Sequence, residues 1–221
     1  MTTICFDISV MELFMPLITG GTVIICSAKT QRDGIALKTL IANTKPDIIQ
    51  ATPATWSILI ESAWVGDPEL TILCGGEPLP VSLANNLTPR VKELWNMYGP
   101  TEVTVWCTAK RIEGKLSSPP TIGRPIQNTT AYILDMDTLQ PVAPGKQGKL
   151  FLGGEQNARG YNKRPEITAE KFIPDPFRTD VENPIMYDSG DLARFNDDGE
   201  IICCGRADYQ VKINGFRIEL G

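Results

Sequence analysis

The chain contains no histidine at all. That removes Ser-His-Asp triads, imidazole general bases and imidazole metal ligands together. No two cysteines have CxxC spacing. Cys5, Cys26, Cys74, Cys107, Cys203 and Cys204 sit mostly in apolar stretches such as "VIIC", "TILC" and "EIICC". Buried, reduced thiols in strands fit this better than zinc or a disulfide framework. No Lys/Arg run is interleaved with aromatics, and the net charge is −5, so nucleic acid is not an expected partner. No apolar run is long enough to span a membrane. The opening "MTTICFDISV" lacks the basic and apolar regions of a secretory signal. A cytoplasmic setting without membrane contact is expected. No GxxxxGK(S/T) or GxGxxG follows a strand pattern, so the two commonest nucleotide motifs are missing. There is no internal repeat.

What is present is an ordinary globular composition. The chain has 221 residues, 42% hydrophobic and 21% charged, enough for one large domain or two small ones. The first half alternates helix and strand patterns. "SVMELFMPLI" reads as a helix ended by Gly20-Gly21 and "TVIIC" as a buried strand. "DGIALKTLIANT" is an amphipathic helix with Asp33 as N-cap. "DIIQAT" is a strand, and Pro53 opens the helix "PATWSILIESAW". "LTILCGGE" is a strand, "LPVSLANNL" a short helix and "VKELWNMYG" a strand. This order predicts an α/β fold with a parallel sheet flanked by helices.

From about residue 113 the texture changes to turns, prolines and short strands, predicting a β-rich, barrel-like subdomain. "AYILD" and "KLFLGG" are strands, and "RPEITAEKF" is the one clear helix. "LARFNDDGEIICCG" is a hairpin turning at residues 196–199. "YQVKINGFRIEL" is a second hairpin with Asn214-Gly215 as its turn. A boundary is expected near Gly205–Tyr209, and the last hairpin stops abruptly, as if the chain were cut.

In open α/β sheets, ligands sit outside the carboxyl ends of the strands. Three such ends are unusual: "ATPAT" (51–55), "CGGE" (74–77) and "NMYGPTE" (96–102). Gly75 and Gly76 would let a flat ring approach the backbone. Tyr98 could stack on that ring, Thr101 offers a hydroxyl to a phosphate, and Glu102 offers a hard oxygen to Mg²⁺. Turn glycines, a core aromatic and an N-cap Thr explain the same residues, and composition alone favours that plainer account.

The order of motifs shifts the balance. "FDIS" (6–9), "GGEPLP" (75–80), "NMYGPTE" (96–102), "GKLFLGGEQNARGY" (148–161), "YDSGDL" (187–192) and "GRADYQVKINGFRIELG" (205–221) follow one another over the whole chain. Together they resemble the core motifs of adenylation domains of nonribosomal peptide synthetases, in the adenylate-forming (AMP-binding) superfamily. The resemblance implies a partial domain: residues 1–112 as the α/β part of the large subdomain, 113–207 as its β-rich part, and 208–221 as the hinge and first hairpin of a truncated small subdomain.

It also implies a chemistry. Such domains join an amino acid to ATP with Mg²⁺, giving aminoacyl-AMP and pyrophosphate. They then load a phosphopantetheine thiol on a separate carrier domain, beside condensation domains of the same assembly line. By motif, Asp7 would pair with the substrate ammonium, although it could equally cap the helix starting near Ser9. Asn96, Tyr98 and the backbone of Gly75, Gly76 and Glu77 would contact adenine. Thr101 and Glu102 would be the catalytic pair, on the α-phosphate and the metal. Asp191 would take the ribose hydroxyls and Arg206 would reach the nucleotide nearby, unless it is a surface Arg pairing with Asp208. Asp208 would be the hinge. "ARGY" would be a structural turn.

The specificity pocket would comprise Asp7, Ile8, Met11, Thr55, Leu73, Gly75, Met97, Val105 and Trp106. Asp7 implies an α-amino acid. The rest is bulky, apolar and without a second charge, which implies a small side chain, glycine first and alanine next. Two departures from the family pattern stand out. Asp188 replaces a cation in "YDSGD", and Lys149 replaces a Glu. Lys149 and the neighbouring Gln156-Asn157 read as drift. The family's phosphate-binding loop and its small-domain lysine fall outside this chain, so the 221 residues alone are expected not to adenylate. The rival readings are an acyl- or aryl-CoA ligase of the same superfamily and a catalytically incompetent fragment.

Overall fold

The structure is a computed structural model and describes residues 2–208, 210–213 and 216–219. The chain divides into two compact units. One comprises Met1–Met97, Lys110–Pro120 and Lys212–Arg217, the other Tyr98–Ala109, Thr121–Val211 and Ile218–Gly221.

The first unit is built on three parallel strands, β1 (Ile48–Ala51), β2 (Asp67–Gly75) and β3 (Val91–Tyr98). Between them lie α4 (Pro53–Glu61), with proline in its first turn, and α5 (Val81–Leu87). Ahead of them come α1 (Ser9–Ile18), α2 (Ala28–Gln31) and α3 (Gly34–Thr44). Asp33 caps α3 as expected, accepting from the backbone N–H groups of Ile35 and Ala36 at 3.0 Å each. Leu37 and Ile41 of α3 pack with Trp56 and Leu59 of α4 and with Leu70, Ile72 and Leu94 of the strands. The αβ alternation read from sequence is therefore realised.

"TVIIC" is not. Residues 22–26 form no strand, and Ile25 is 76% exposed. An apolar β-branched run suits a strand only when a neighbour completes its hydrogen-bond ladder, and no described residue pairs with it. The thiol expectation also needs correction. Only Cys74 and Cys107 are buried, while Cys5 and Cys203 are exposed.

The second unit is β-rich. β4 (Thr108–Ile112), which runs out of it, pairs through Thr108 and Ala109 with β5 (Arg124–Pro125). The main sheet has the order β10-β9-β7-β6: β6 (Thr129–Leu134), β7 (Gly148–Gly154), β9 (Ile185–Phe195) and β10 (Ile201–Arg206), with β8 (Phe172–Pro174) also paired to β9. The helix α6 (Pro165–Lys171) leads into β8. The expected hairpin is present as β9–β10, turning through Asn196, whose N–H donates to the Glu200 carbonyl at 2.9 Å. Ile133, Leu150, Leu152, Phe172, Tyr187 and Ile201 form its core. The last strands, β11 (Gln210–Ile213) and β12 (Phe216–Glu219), form a two-stranded sheet; the Asn214-Gly215 turn lies outside the described residues. No described helix is long and apolar enough to cross a membrane.

Candidate functional site

In the first unit, the expected substrate and adenine residues gather at the carboxyl ends of the strands. Register sets Asn96 beside Cys74 and Met97 beside Gly75. Gln50 and Ala51 of β1 lie beside Leu73 and Cys74. Gln50 is buried, and its Nε2 donates to the Ile8 carbonyl at 2.7 Å and to Glu12 Oε1 at 3.1 Å. Those bonds tie the "FDIS" turn to the sheet end. A Cβ on Gly76 would lie 3.8 Å from the Phe6 ring, so "FDIS" and "GGE" are neighbours. Ile8 and Thr55 are buried, Met11 and Leu73 are half-buried, and Glu77 follows Gly76 at partial exposure.

Asp7 does not cap α1. The N-cap position is Ile8, and no side chain caps that end. Asp7 Oδ2 is instead buried without a hydrogen-bond partner among the described residues. A carboxylate oxygen held out of water needs a cation or a donor. Burial pushes the Cys74 thiol far up from its ordinary value, so the one cysteine at these strand ends stays protonated and inert.

In the second unit, Tyr98 ends β3 and is followed by Gly99-Pro100 and a 3-10 turn, Thr101–Val103. Gly99 is fixed by crowding: a Cβ there would come within 2.2 Å of the Val105 carbonyl oxygen. Thr101 is exposed. Glu102 is only 6% exposed. Its Oε1 accepts from the Tyr161 hydroxyl at 2.6 Å, and its carbonyl from the Ala158 N–H at 2.8 Å. "ARGY" is thus more than a turn, because its tyrosine orients the acidic residue.

Beyond Glu102 the backbone is unusual. Thr104 and Val105 have φ of 50° and 71°, rare for any L-residue and an outlier for the β-branched Val105. Val105 and Trp106 are buried. Gln156 holds this bend: its carbonyl accepts from Thr104 Oγ1 at 2.6 Å and its Nε2 donates to the Trp106 carbonyl at 3.1 Å. Asn157 Nδ2 donates to the Ile185 carbonyl at 2.9 Å. Gln156 and Asn157, read from sequence as drift, thus each donate from a side-chain amide to a backbone carbonyl.

The Tyr98 hydroxyl donates to Asp191 Oδ2, while Asp191 Oδ1 accepts from Arg206 Nη1 at 2.9 Å. Burial, then the adjacent Asp191 carboxylate, pushes the Tyr98 hydroxyl well above 10. Arg206 also makes a fork onto Asp208, Nε to Oδ1 at 2.6 Å and Nη2 to Oδ2 at 2.7 Å. Arg206 thus reaches Asp191 and pairs with Asp208 at once, so neither sequence reading of it excludes the other. Asp188 and Lys149 form a sheltered ion pair at 2.6 Å, so Lys149, read from sequence as drift, has a specific partner.

Comparison with known proteins places these geometries in a family. A family model described as AMP-binding enzyme matches residues 1–162. The chain belongs to the AMP-binding enzymes. It is 46% identical over its whole length to a dimodular nonribosomal peptide synthase of Bacillus subtilis, and 42% identical to a linear gramicidin synthase of Brevibacillus parabrevis. It spans only 9% and 4% of those relatives. Among solved structures, a four-domain nonribosomal peptide synthetase bound to AMP and glycine superposes with a TM-score of 0.88 at 43% identity, covering all of this chain and 16% of that one. A synthetase protein containing adenylation and PCP domains superposes with a TM-score of 0.88 at 28% identity, over all of this chain and 45% of that one. The resemblance to peptide-synthetase adenylation domains therefore holds in sequence and in fold.

An AMP-binding enzyme of this kind implies magnesium, and the residues present can be tested for it. No group of three or more His, Cys, Asp or Glu among the described residues is placed to hold a metal alone. Mg²⁺ that arrives with substrate phosphates needs only one or two carboxylates. Glu102, buried and oriented by Tyr161, fits that requirement.

Proposed function

We propose that the chain is part of an adenylation domain that activates a small neutral α-amino acid with ATP for nonribosomal peptide synthesis. The observation that carries the amino-acid part is Asp7, whose buried Oδ2 has no partner among the described residues. A substrate ammonium would supply the missing donors and the opposite charge. An acyl- or aryl-CoA ligase would bring no such cation.

In the proposed reaction, a substrate carboxylate oxygen attacks the α-phosphorus of ATP. The new bond makes aminoacyl-AMP, and the electron pair leaves with pyrophosphate. Asn96, Tyr98 and the backbone at Gly75–Glu77 would flank adenine. Asp191 would accept from the ribose hydroxyls, with Arg206 beside it, and Thr101 would donate to the α-phosphate. Magnesium, held through Glu102, would offset phosphate charge. Positioning and electrostatics then supply the catalysis without an imidazole. A phosphopantetheine thiol on a carrier domain would next take the aminoacyl group and release AMP. The subdomain division at 112 and 207, with Asp208 as the hinge, belongs to the same proposal.

Ile8, Met11, Thr55, Leu73, Gly75, Met97, Val105 and Trp106 would line the side-chain pocket. Bulky apolar groups leave room for glycine first and alanine second. The 43%-identical structure bound to AMP and glycine supports that choice. The test is a graft. Residues 1–221 replace the matching segment of the Bacillus subtilis relative, and amino-acid-dependent ATP–pyrophosphate exchange is measured across the amino acids. Exchange with glycine or alanine is expected. Exchange driven best by Phe, Lys or Glu would refute the pocket reading.

A further inference from the structure

We propose that Lys149 and Asp188 are positioning residues for Asp191, pinning the bulge of β9 that presents its carboxylate. The strand register carries the inference. Lys149 of β7 stands opposite Leu192, and Phe151 stands opposite Asp188. Two steps along β7 therefore match four along β9, so β9 accommodates two extra residues between 188 and 192. Such bulges re-aim a side chain out of the regular alternation. Gly190 sits in this one with φ of 73°, and a Cβ on it would come within 2.6 Å of Arg206 Nη2.

A bulge loses ladder hydrogen bonds and needs other anchors. Ser189, buried, donates from Oγ to the Leu150 carbonyl at 2.6 Å and accepts from the Asp191 N–H at 3.1 Å. Asp188 Oδ1 accepts from the Gly190 N–H at 3.0 Å, and its Oδ2 accepts from Lys149 Nζ at 2.6 Å. The pair is sheltered, with side chains 23% and 12% exposed, and the Lys149 ammonium also lies 5.9 Å from the centre of the Phe151 ring. Lys149 thus fixes one carboxylate oxygen, leaving the other aimed at the bulge backbone.

The polarity of the pair matters. A lysine or arginine at 188 could form the same ion pair with an acid at 149, but it has no acceptor for the Gly190 N–H. This chain's arrangement therefore adds an anchor that the reversed one cannot supply. The link to nucleotide rests on the reading of Asp191 as the ribose ligand, so the test separates the two claims.

Hydrogen exchange at the Gly190 amide is measured by NMR in the 221-residue chain, and AMP binding by calorimetry in the Bacillus subtilis relative carrying residues 1–221 as a graft. Lys149→Met should speed Gly190 exchange about tenfold, the loss of roughly one charge-assisted bond, and weaken AMP about three- to tenfold. Lys149→Arg should restore both. The double reversal Lys149→Glu with Asp188→Lys should keep the ion pair yet leave Gly190 exchange fast. Unchanged exchange in Lys149→Met, or wild-type protection in the double reversal, would overturn the anchor. Faster exchange with undiminished AMP affinity would overturn its positioning role. If the graft carrying the unaltered segment binds no AMP, the adenylation reading fails by itself, and the exchange arm still decides the anchor.

Discussion

Replacing Tyr161 by Phe removes one oxygen and little else. The ring stays in place, packed edge-on against Phe172 at 5.8 Å between centroids. No cavity of consequence forms, so the loss is the hydrogen bond to Glu102 at 2.6 Å. Its acceptor is a carboxylate buried to 6% exposure, and bonds to charged groups contribute about 1.5–3 kcal/mol. At roughly 2–4 °C per kcal/mol for a domain of this size, the melting temperature should fall by about 3–12 °C. The Tyr161 hydroxyl also lies 3.4 Å from the Tyr187 hydroxyl, a minor contact by its length. Scanning calorimetry on the chain measures the stability term. Magnesium-dependent ATP binding measures the orientation term, which should weaken by more than binding of metal-free AMP does. A Tyr161→Phe chain that melts within about 1 °C of the original, well short of that fall, would refute the claim that this tyrosine holds Glu102.

Three further outcomes follow from the same geometry. Asp7→Asn keeps the shape but removes the charge facing the proposed ammonium. Amino-acid affinity in the grafted enzyme should drop by about 2–5 kcal/mol, with AMP binding unchanged; equal loss of both would place Asp7 elsewhere. Gly99→Ala pushes a methyl onto the Val105 carbonyl at 2.2 Å and should cost about 1–3 kcal/mol in urea unfolding, whereas a neutral result would mean the bend yields freely. Tyr98 gives a pH dependence. Its folded hydroxyl lies well above the ordinary value of 10, so above pH 10 the unfolded chain loses that proton first. Its contribution is intact below about pH 10 and is lost as pH rises toward the folded value, at up to about 1.4 kcal/mol per pH unit. Tyr98→Phe should flatten that alkaline limb, and parallel limbs in the two proteins would refute it.

Much of the fold was legible because it depends on local signals. Asp33 before an apolar period, Pro53 at a helix start and the 196–199 turn each specify their element from a few neighbouring residues. "TVIIC" misled because strand formation is a property of two segments, and sequence pattern describes only one. The cysteines misled for a related reason: in β10, Cys203 sits next to a register shift between Cys203 and Gly205, and bulges undo the alternation from which burial is inferred. At the candidate site, motif order proposed Asp7, Glu102 and Asp191, but carried no sign of what holds their segments. Tyr161 lies 59 residues from Glu102 in sequence, Gln50 lies 42 from Ile8, and Lys149 lies 39 from Asp188. Such partners leave no periodic trace.

One trace did exist. Against the motif pattern that the family resemblance implies, an acid stands at 188 in place of a cation, and a cation at 149 in place of an acid. Taken singly, each looks like an unconstrained surface change. Taken as opposite signs exchanged at two sites, they satisfy the condition for a preserved contact with inverted polarity, since the Coulomb energy of an ion pair is unchanged when both charges reverse. What does change under reversal is hydrogen-bond capacity, because a carboxylate accepts and an ammonium only donates. The Gly190 N–H therefore gains an acceptor in this chain as a direct result of which partner carries which sign.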